Sequence, residues 1–443
     1  MTLKCMFAAR GGIPIQSVGG KFEDVSVVSQ LTGLVQRFDK FVRRRADFNL
    51  ALFARWRNRH TKYIAVTGSS TKTTTCSLLI HILQSYAPTA GHILNNTMPT
   101  IAPFIRKVDG SSDFAVIETA INGPDRMRHL ARLIQPHVGV ITMIGLEHRA
   151  SMRSTDVVAA EKGILVEQLA PHGVALLNAD DEKTDGIAAR ARGKVITFGH
   201  DKPADYQAVA VSADFPERLS LTIKGPKFDI DLQTQLVGKH FWLPVTAAVA
   251  CACHLGVPAE TIAQQVASFV PPLGRCSVIK LPNDRIVLSD TYKAAQHSLH
   301  HAFDMIRSAS AVHKRIVLGQ ISDATGSSTT AYRKAYRLAR EAADEVIFVG
   351  EHAHRHNASQ EDIANGRIRD FREVREVADF LRDTAIDGEL ILLKSSTKLH
   401  LERAALAQME TVRCWETNCG FKTQCSTCEF YQNPRQQPNT DQS

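Results

Sequence analysis

The stretch Thr67-Gly68-Ser69-Ser70-Thr71-Lys72-Thr73-Thr74 constrains this 443-residue chain more than any other. It follows an apolar run, Tyr63–Val66, and leads into a helical stretch, Thr73–Ser85. A strand, a Gly/Ser/Thr-rich turn and a Lys-Thr pair at a helix start form a cradle for polyphosphate. Backbone N–H groups at the helix N-terminus face the anion, the lysine neutralises β/γ charge, and the next hydroxyl can ligate Mg2+. On that pattern Gly68, Ser69, Ser70, Thr71, Lys72, Thr73 and Thr74 hold the phosphates, with Lys72 as the phosphate lysine and Thr73 as the metal hydroxyl. The same residue types also serve as an ordinary helix cap. Thr71 stands where glycine is usual before the lysine, so its side chain either tightens the turn or crowds the phosphate.

Around the loop the chain alternates strand and helix signals. Apolar runs at Tyr63–Val66, Phe114–Ile117, Val138–Ile144, Val174–Leu177 and Val195–Phe198 predict buried parallel strands, with helices such as Arg126–Ile134 between them. This βαβ rhythm predicts a doubly wound α/β domain. Leu219–Ile223 and Phe228–Gln233 alternate in polarity and predict an antiparallel pair in a small side sheet. After the linker Pro271-Pro272-Leu273-Gly274 a second α/β pattern begins, with strands at Ile286–Leu288, Ile316–Leu318, Val346–Val349 and Leu390–Leu393. The expected division is a basic helical segment over 1–60, a first α/β domain over 61–272, a smaller one over 273–411 and a cysteine-rich tail over 412–443, disordered at its end.

The net charge of +8 is concentrated: between Arg37 and Lys62 nine basic residues face Asp39 and Asp47, a net of +7. A basic stripe over the whole surface is absent, so no nucleic-acid partner is expected. The segment predicts either a solvated helical layer on the next domain or a basic amphipathic surface for a membrane lipid or a protein partner. No run approaches the roughly 20 apolar residues of a membrane span, and a secretory leader pattern is lacking, so a cytoplasmic protein is expected.

Several short pieces follow the loop in a fixed order: Asn95-Asn96-Thr97-Met98-Pro99, Ile117-Glu118, Pro136-His137-Val138-Gly139-Val140-Ile141-Thr142 leading to His148, and Glu161-Lys162-Gly163. Then come Leu177-Asn178-Ala179-Asp180-Asp181, Gly238-Lys239-His240, Gly274-Arg275, Asp290-Thr291-Tyr292 and Lys394-Ser395-Ser396. Together they resemble the Mur ligase family, most of all its D-alanyl-D-alanine-adding branch, over residues 62 to about 405. The resemblance implies a P-loop central ATPase domain and a Rossmann-like C-terminal domain. It implies an ATP- and Mg2+-dependent ligase that activates a carboxylate as an acyl phosphate and joins it to an amine. By the family pattern Glu118 and His148 are metal ligands, and Lys162 matches the lysine that members carbamylate. Arg275 resembles the arginine that reaches back to ATP, Asp290 and Tyr292 the residues on its ribose and adenine side, and Lys394 a lysine near the γ-phosphate or substrate. Partners are then a small-molecule carboxylate and an amine.

The chain also departs from that pattern. Met143 replaces an asparagine after Thr142, Pro244 an asparagine after His240, and Lys293-Ala294-Ala295-Gln296 follows Tyr292 in place of Asn-Ala-Asn-Pro. The basic helices before the loop do not read as the nucleotide-sugar-gripping domain of the murein enzymes, so a murein precursor is not the expected substrate. An alternative is a degenerate ATP-binding scaffold without ligase activity. In the tail, Cys414, Cys419, Cys425 and Cys428 fall within fifteen positions. Four thiolates suit a structural Zn2+ that clips the tail to the second domain, with an iron–sulfur cluster as the other option.

Overall fold

β1 (Lys62–Thr67) forms because Tyr63–Val66 are apolar and β-prone, and it is buried on both faces of a parallel sheet. The structure is a computed structural model that describes residues 45–94, 96–121, 123–146, 152–324, 326–416, 419–421 and 423–432. The chain separates into Met1–Leu50 and a unit Ala51–Ser443. Residues 45–57 are helical (α1). The expected basic helical segment up to residue 44 and the tail end beyond 432 lie outside the described residues.

The first sheet contains β1, β2 (Thr89–His92), β3 (Phe114–Glu118), β4 (Val138–Ile141), β5 (Val174–Asn178), β6 (Lys194–Gly199), β7 (Tyr206–Ser212), β8 (Ser220–Lys224) and β9 (Asp229–Gln233). Its spatial order is β2-β3-β1-β4-β5-β6-β7-β8-β9. Pairing is parallel through β7, and β8 and β9 continue it antiparallel. The antiparallel pair is therefore not a separate side sheet: β7 joins it to the main one. Helices α2 (Lys72–Gln84), α3 (Met98–Lys107), α4 (Arg126–Ile134), α5 (Thr155–Glu167), α6 (Thr184–Ala188), α7 (Trp242–His254) and α8 (Ala259–Ser268) complete this part. Cys76, Leu79 and Leu83 of α2 share one core with Ala247, Ala250 and Cys251 of α7.

The second sheet has the order β10-β11-β15-β12-β13-β14. It is built from β10 (Ser277–Lys280), β11 (Ile286–Asp290), β12 (Lys314–Leu318), β13 (Glu345–Val349), β14 (Ile368–Phe371) and β15 (Leu390–Lys394). β10 runs antiparallel to β11, and the other pairs are parallel. α9 (Leu299–Ser308), α10 (Ser328–Arg340), α11 (Gln360–Ala364), α12 (Val374–Asp383), α13 (Arg403–Leu406) and, in the tail, α14 (Glu429–Gln432) accompany it. Among the described residues no helix is long and apolar enough to cross a membrane.

One arginine of the basic segment has a structural role. Arg55 is buried, and its guanidinium donates to the carbonyls of Ile134 (2.8 Å) and Gln135 (3.1 Å) at the end of α4 while lying 4.1 Å over the Tyr63 ring. A cation at a helix C-terminus meets carbonyls that lack intrahelical partners. Arg55 thus departs from the expected solvated face, whereas Arg57 and Arg59 are exposed. Phe53 and Trp56 are exposed as well, with their rings 5.7 Å apart.

Candidate active site

Parallel strands end together, so whatever follows their C-terminal ends is brought to one rim. Val66 of β1 lies opposite Glu118 of β3, and Thr67 opposite Ile141 of β4. The loop after β1 is therefore flanked by Glu118 on one side and Thr142-Met143 on the other. Gly68 has φ +149°, and a Cβ there would lie 1.9 Å from Thr142 Oγ1. No other residue fits. Thr71 takes the left-handed conformation (φ 62°) as the N-cap of α2, which is why glycine is usual there. Its hydroxyl donates to the Ser70 carbonyl at 2.8 Å, so the side chain tightens the turn. Met143, in place of asparagine, contributes through its backbone, where the carbonyl accepts from Ser69 N at 2.9 Å.

Beneath the loop, Lys72 Nζ and Lys162 Nζ both donate to the Gly68 carbonyl, at 2.6 and 3.1 Å. Lys162 is fully buried on α5. Its neighbour Glu161 accepts from the backbone N–H groups of Asp125 (3.0 Å) and Met127 (2.8 Å), the first turn of α4. The Glu-Lys pair is thus no solvated helix face. Glu161 satisfies orphan donors of α4, and Lys162 turns toward the phosphate loop.

Glu118, 3% exposed, is bracketed by donors. Its Oε2 accepts from Thr73 Oγ1 and Leu94 N, both at 3.0 Å, and its Oε1 accepts from Asn96 Nδ2 at 2.8 Å. Thr73 Oγ1 in turn accepts from an Arg275 guanidinium N–H at 3.2 Å. That contact joins the loop before the second sheet to the phosphate loop. Arg275 also stacks 4.3 Å over the Tyr292 ring, and its Nε is buried without a hydrogen-bond partner among the described residues. Burial pushes the Tyr292 phenol up, with Arg275 opposing.

Across the cleft, Lys394 at the end of β15 forms an ion pair with Asp290 at the end of β11, its register partner, and donates to the Lys293 carbonyl at 2.9 Å. Ser69 to Thr74, Glu118, Arg275, Asp290, Tyr292 and Lys394 all border one cavity of about 260 Å³. Gly68 and Lys162 support its floor through the contacts above. His148 lies outside the described residues. The cavity wall also includes residues that sequence reasoning gave no role: Asn96, Trp242, Leu243 and His240. Asn96 stands within one of the ordered motifs, so the signal was present. Pro244 is buried in α7, and Trp242 and Leu243 front the cavity near it. Burial, with His301 and Lys394 nearby, pushes the His240 imidazole down to about 3, so it is neutral.

The tail differs from its expectation. Among the described residues the one group of His, Cys, Asp or Glu whose ligand atoms lie within 4.8 Å of one another is His400, Glu402 and Cys425. Cys414, Cys419, Cys425 and Cys428 do not form such a group with one another; the partners of Cys425 in it are His400 and Glu402, just before α13.

The two halves of this cleft match known domains. Residues 66–252 match the Mur ligase middle domain, and residues 274–397 the Mur ligase glutamate ligase domain. The chain belongs to the Mur ligase family. The UDP-N-acetylmuramoyl-tripeptide–D-alanyl-D-alanine ligase of Bacillus subtilis is 26% identical over 353 residues, covering 77% of this chain and 74% of its own. That of Escherichia coli is 23% identical, covering 80% and 78%. The crystal structure of MurF from Acinetobacter baumannii superposes with a TM-score of 0.75 at 26% identity, covering 83% of this chain and 81% of that one. MurF of Thermotoga maritima in complex with ADP shares the fold, with a TM-score of 0.72 at 19% identity over 81% and 82% of the two chains. The Mur ligase family is one of ATP-dependent ligases, and this member has its middle and C-terminal domains.

Proposed function

We propose that the chain is an ATP-dependent ligase that joins a carboxylate to an amine through an acyl phosphate. One observation carries the reading: Lys72 and Thr73, Glu118 and Arg275, from three separate parts of the chain, meet at one edge of a cleft between the two sheets. Residues 61–272 serve as the ATP-binding domain and 273–411 as the domain that completes the site. The phosphates of ATP lie on the N–H groups of Gly68 to Thr74, at the positive end of α2. Lys72 takes their β/γ charge, and Arg275, which borders the same cavity, adds a second positive charge.

The donor set suits a hard cation: the Thr73 hydroxyl and the Glu118 carboxylate stand 3.0 Å apart. Mg2+ held there would screen the repulsion between ATP and a substrate carboxylate. His148 and a carbamylated Lys162 are further anionic or neutral donors to such ions. Carbamylation would also end the convergence of two ammonium groups on one carbonyl. The carboxylate oxygen takes the γ-phosphoryl group and ADP leaves. The amine nitrogen then attacks the acyl carbon, phosphate departs, and an amide remains. Asp290, Tyr292 and Lys394 line the far wall, where nucleoside and acyl groups need orientation. Rate gain comes from positioning and charge neutralisation in the cleft.

The relatives' names specify a muramoyl-tripeptide carboxylate and a D-alanyl-D-alanine amine. For this chain we retain the classes, a peptide-like carboxylate and an amino acid or dipeptide. The test is ADP and phosphate release by purified protein over a panel of both, with Lys72→Ala as control. Release that requires both substrates and vanishes in the variant supports the ligase. ATP binding without turnover on any pair supports a scaffold, and no ATP binding refutes both.

A further inference from the structure

The tail gathers a second polar cluster away from the ATP cleft, beside α13. His400 is 2% exposed, and its Nε2 lies 3.0 Å from Cys419 Sγ. Its Nδ1 lies 3.3 Å from Glu402 Oε1, which also accepts from Cys425 N at 3.0 Å. Glu402 is 4% exposed, and its second oxygen, Oε2, is buried with no hydrogen-bond partner among the described residues. A buried carboxylate oxygen left unpaired is costly. The adjacent Arg403 does not relieve it, since its guanidinium donates to the carbonyls of His400 (3.3 Å), Cys414 (2.9 Å) and Leu399 (3.4 Å). One imidazole, one carboxylate and one thiol thus come within 4.8 Å of each other, with a second thiol against the imidazole.

We propose that this cluster is a zinc-class metal site with His400, Glu402 and Cys425 as its protein ligands, while Cys419 Sγ lies against the imidazole Nε2, away from the Nδ1 that meets Glu402. Nitrogen, oxygen and sulfur form a three-ligand set that tetrahedral Zn2+ accepts with a water in the fourth position, and the cation supplies the counter-charge that Glu402 Oε2 lacks. The ligand set differs from four tail thiols: of the tail cysteines only Cys425 takes part, with His400 and Glu402 of the second domain. Their participation ties the tail to the domain, because two ligands come from the domain and one from the tail.

The tie reaches the ATP cleft. Gln424, next to ligand Cys425, accepts from Thr291 Oγ1 at 3.4 Å, and a Cβ on Gly274 would lie 2.8 Å from its Nε2. Gly274 and Thr291 adjoin Arg275, Asp290 and Tyr292. A metal that fixes Cys425 therefore holds Gln424 over the turn that presents Arg275. This consequence rests on the proposed ligase reading, whereas the metal site does not.

The full chain is purified without chelator and its metal content measured by elemental analysis. Stoichiometric zinc is expected in the wild type, its loss in His400→Ala and Cys425→Ser, and its retention in Cys414→Ser and Cys428→Ser. Should His400→Ala fold poorly, His400→Cys is expected to keep the metal, since a thiolate can replace the imidazole. Cobalt exchanged into the wild type is expected to give the intense visible bands of a tetrahedral site with thiolate charge transfer. A metal-free wild type, an iron–sulfur chromophore, or zinc loss in Cys428→Ser as large as in His400→Ala overturns the proposal. ATP turnover is measured separately: a metal-loaded but inactive protein refutes the ligase reading and leaves the site standing.

Discussion

Glu118 offers a way to separate a metal ligand from a structural bracket. Its carboxylate accepts three hydrogen bonds, from Thr73, Leu94 and Asn96, while 3% exposed. Hydrogen bonds to a charged group are worth about 1.5–3 kcal/mol, and a buried donor left without an acceptor costs about 1–3 kcal/mol. Glu118→Ala leaves the Leu94 N–H and two side-chain donors facing a void, and after partial relaxation about 3 kcal/mol of stability is lost. For a domain of this size that is a drop of about 6–12 °C in melting temperature. Glu118→Gln is different. Its amide oxygen can take the place of Oε2 before Thr73 and Leu94, and its amide NH2 can face Asn96, whose own amide turns to offer oxygen. About 1 kcal/mol, or about 2–4 °C, is the expected cost. The charge, however, is gone in both variants. ADP release is expected to fall about 100-fold or more in each, with the Mg2+ requirement shifted to higher concentration in Glu118→Gln. Calorimetry and a coupled ADP assay on the same preparations give both numbers. A Glu118→Gln protein within about threefold of wild-type turnover, at unchanged Mg2+ dependence, would falsify the metal role and leave only the bracket.

Thr71→Gly removes a β-branched residue from left-handed backbone, which costs about 1–2 kcal/mol, against about 0.5–1 kcal/mol of extra chain entropy for glycine. A small rise in melting temperature with intact ATP binding is expected, and a clear fall counts against the strain argument. Arg275→Lys keeps the charge but loses the fork that touches Thr73 and stacks on Tyr292, so kcat/KM for ATP is expected to fall about 10- to 100-fold. Steady-state kinetics with an unaltered value would show that the fork is not needed. Burial holds His137 at about 4 and His240 at about 3, below the ordinary imidazole value. Unfolding therefore takes up protons, so stability is full above pH ~6.5 and declines as pH falls toward those values. Half-buried rings halve the limit of about 1.4 kcal/mol per group per pH unit. His137 Nδ1 accepts from Tyr63 N at 3.0 Å, and His137→Gln is expected to flatten the decline between about pH 6.5 and 5 in thermal melts. An equally steep decline in that variant places the titration elsewhere.

What could be read from the sequence follows burial. Strands covered on both faces leave continuous apolar runs, and the predicted segments fall within β1, β3, β5, β6, β11, β12, β13 and β15. The overlooked strands β2, β10 and β14 lie at sheet edges. Their residues are mostly only partly buried, and Thr89-Ala90-Gly91-His92 carries no apolar pattern. Missing β7, which alternates in burial, hid the link between β6 and β8 and made one sheet look like two. At the cleft, the motifs indicated Lys72, Thr73, Glu118 and Arg275, because short local signatures specify them. The pairing of Lys394 with Asp290 arises from strand register, and Asn96 reaches Glu118 from the loop between β2 and α3; no linear spacing encodes either. In the tail, spacing drew attention to four cysteines, while the side chains that approach Cys425 and Cys419 come from positions 400 and 402.

The chain of contacts from Asn96 through Glu118 and Thr73 to Arg275 has a thermodynamic consequence. Each link polarises the next, so the strength of one depends on whether its neighbours are made. Asn96 and Arg275 stand at opposite ends of that chain, yet their energies are not independent. Removing either end alone loosens a relay that the other end still needs, and removing both costs less than the two losses added. Such non-additivity is ordinarily about 0.5–3 kcal/mol for linked residues. Sequence drift at one end of the relay therefore changes which residues are tolerated at the other, and the two halves of this ligase are constrained to vary together.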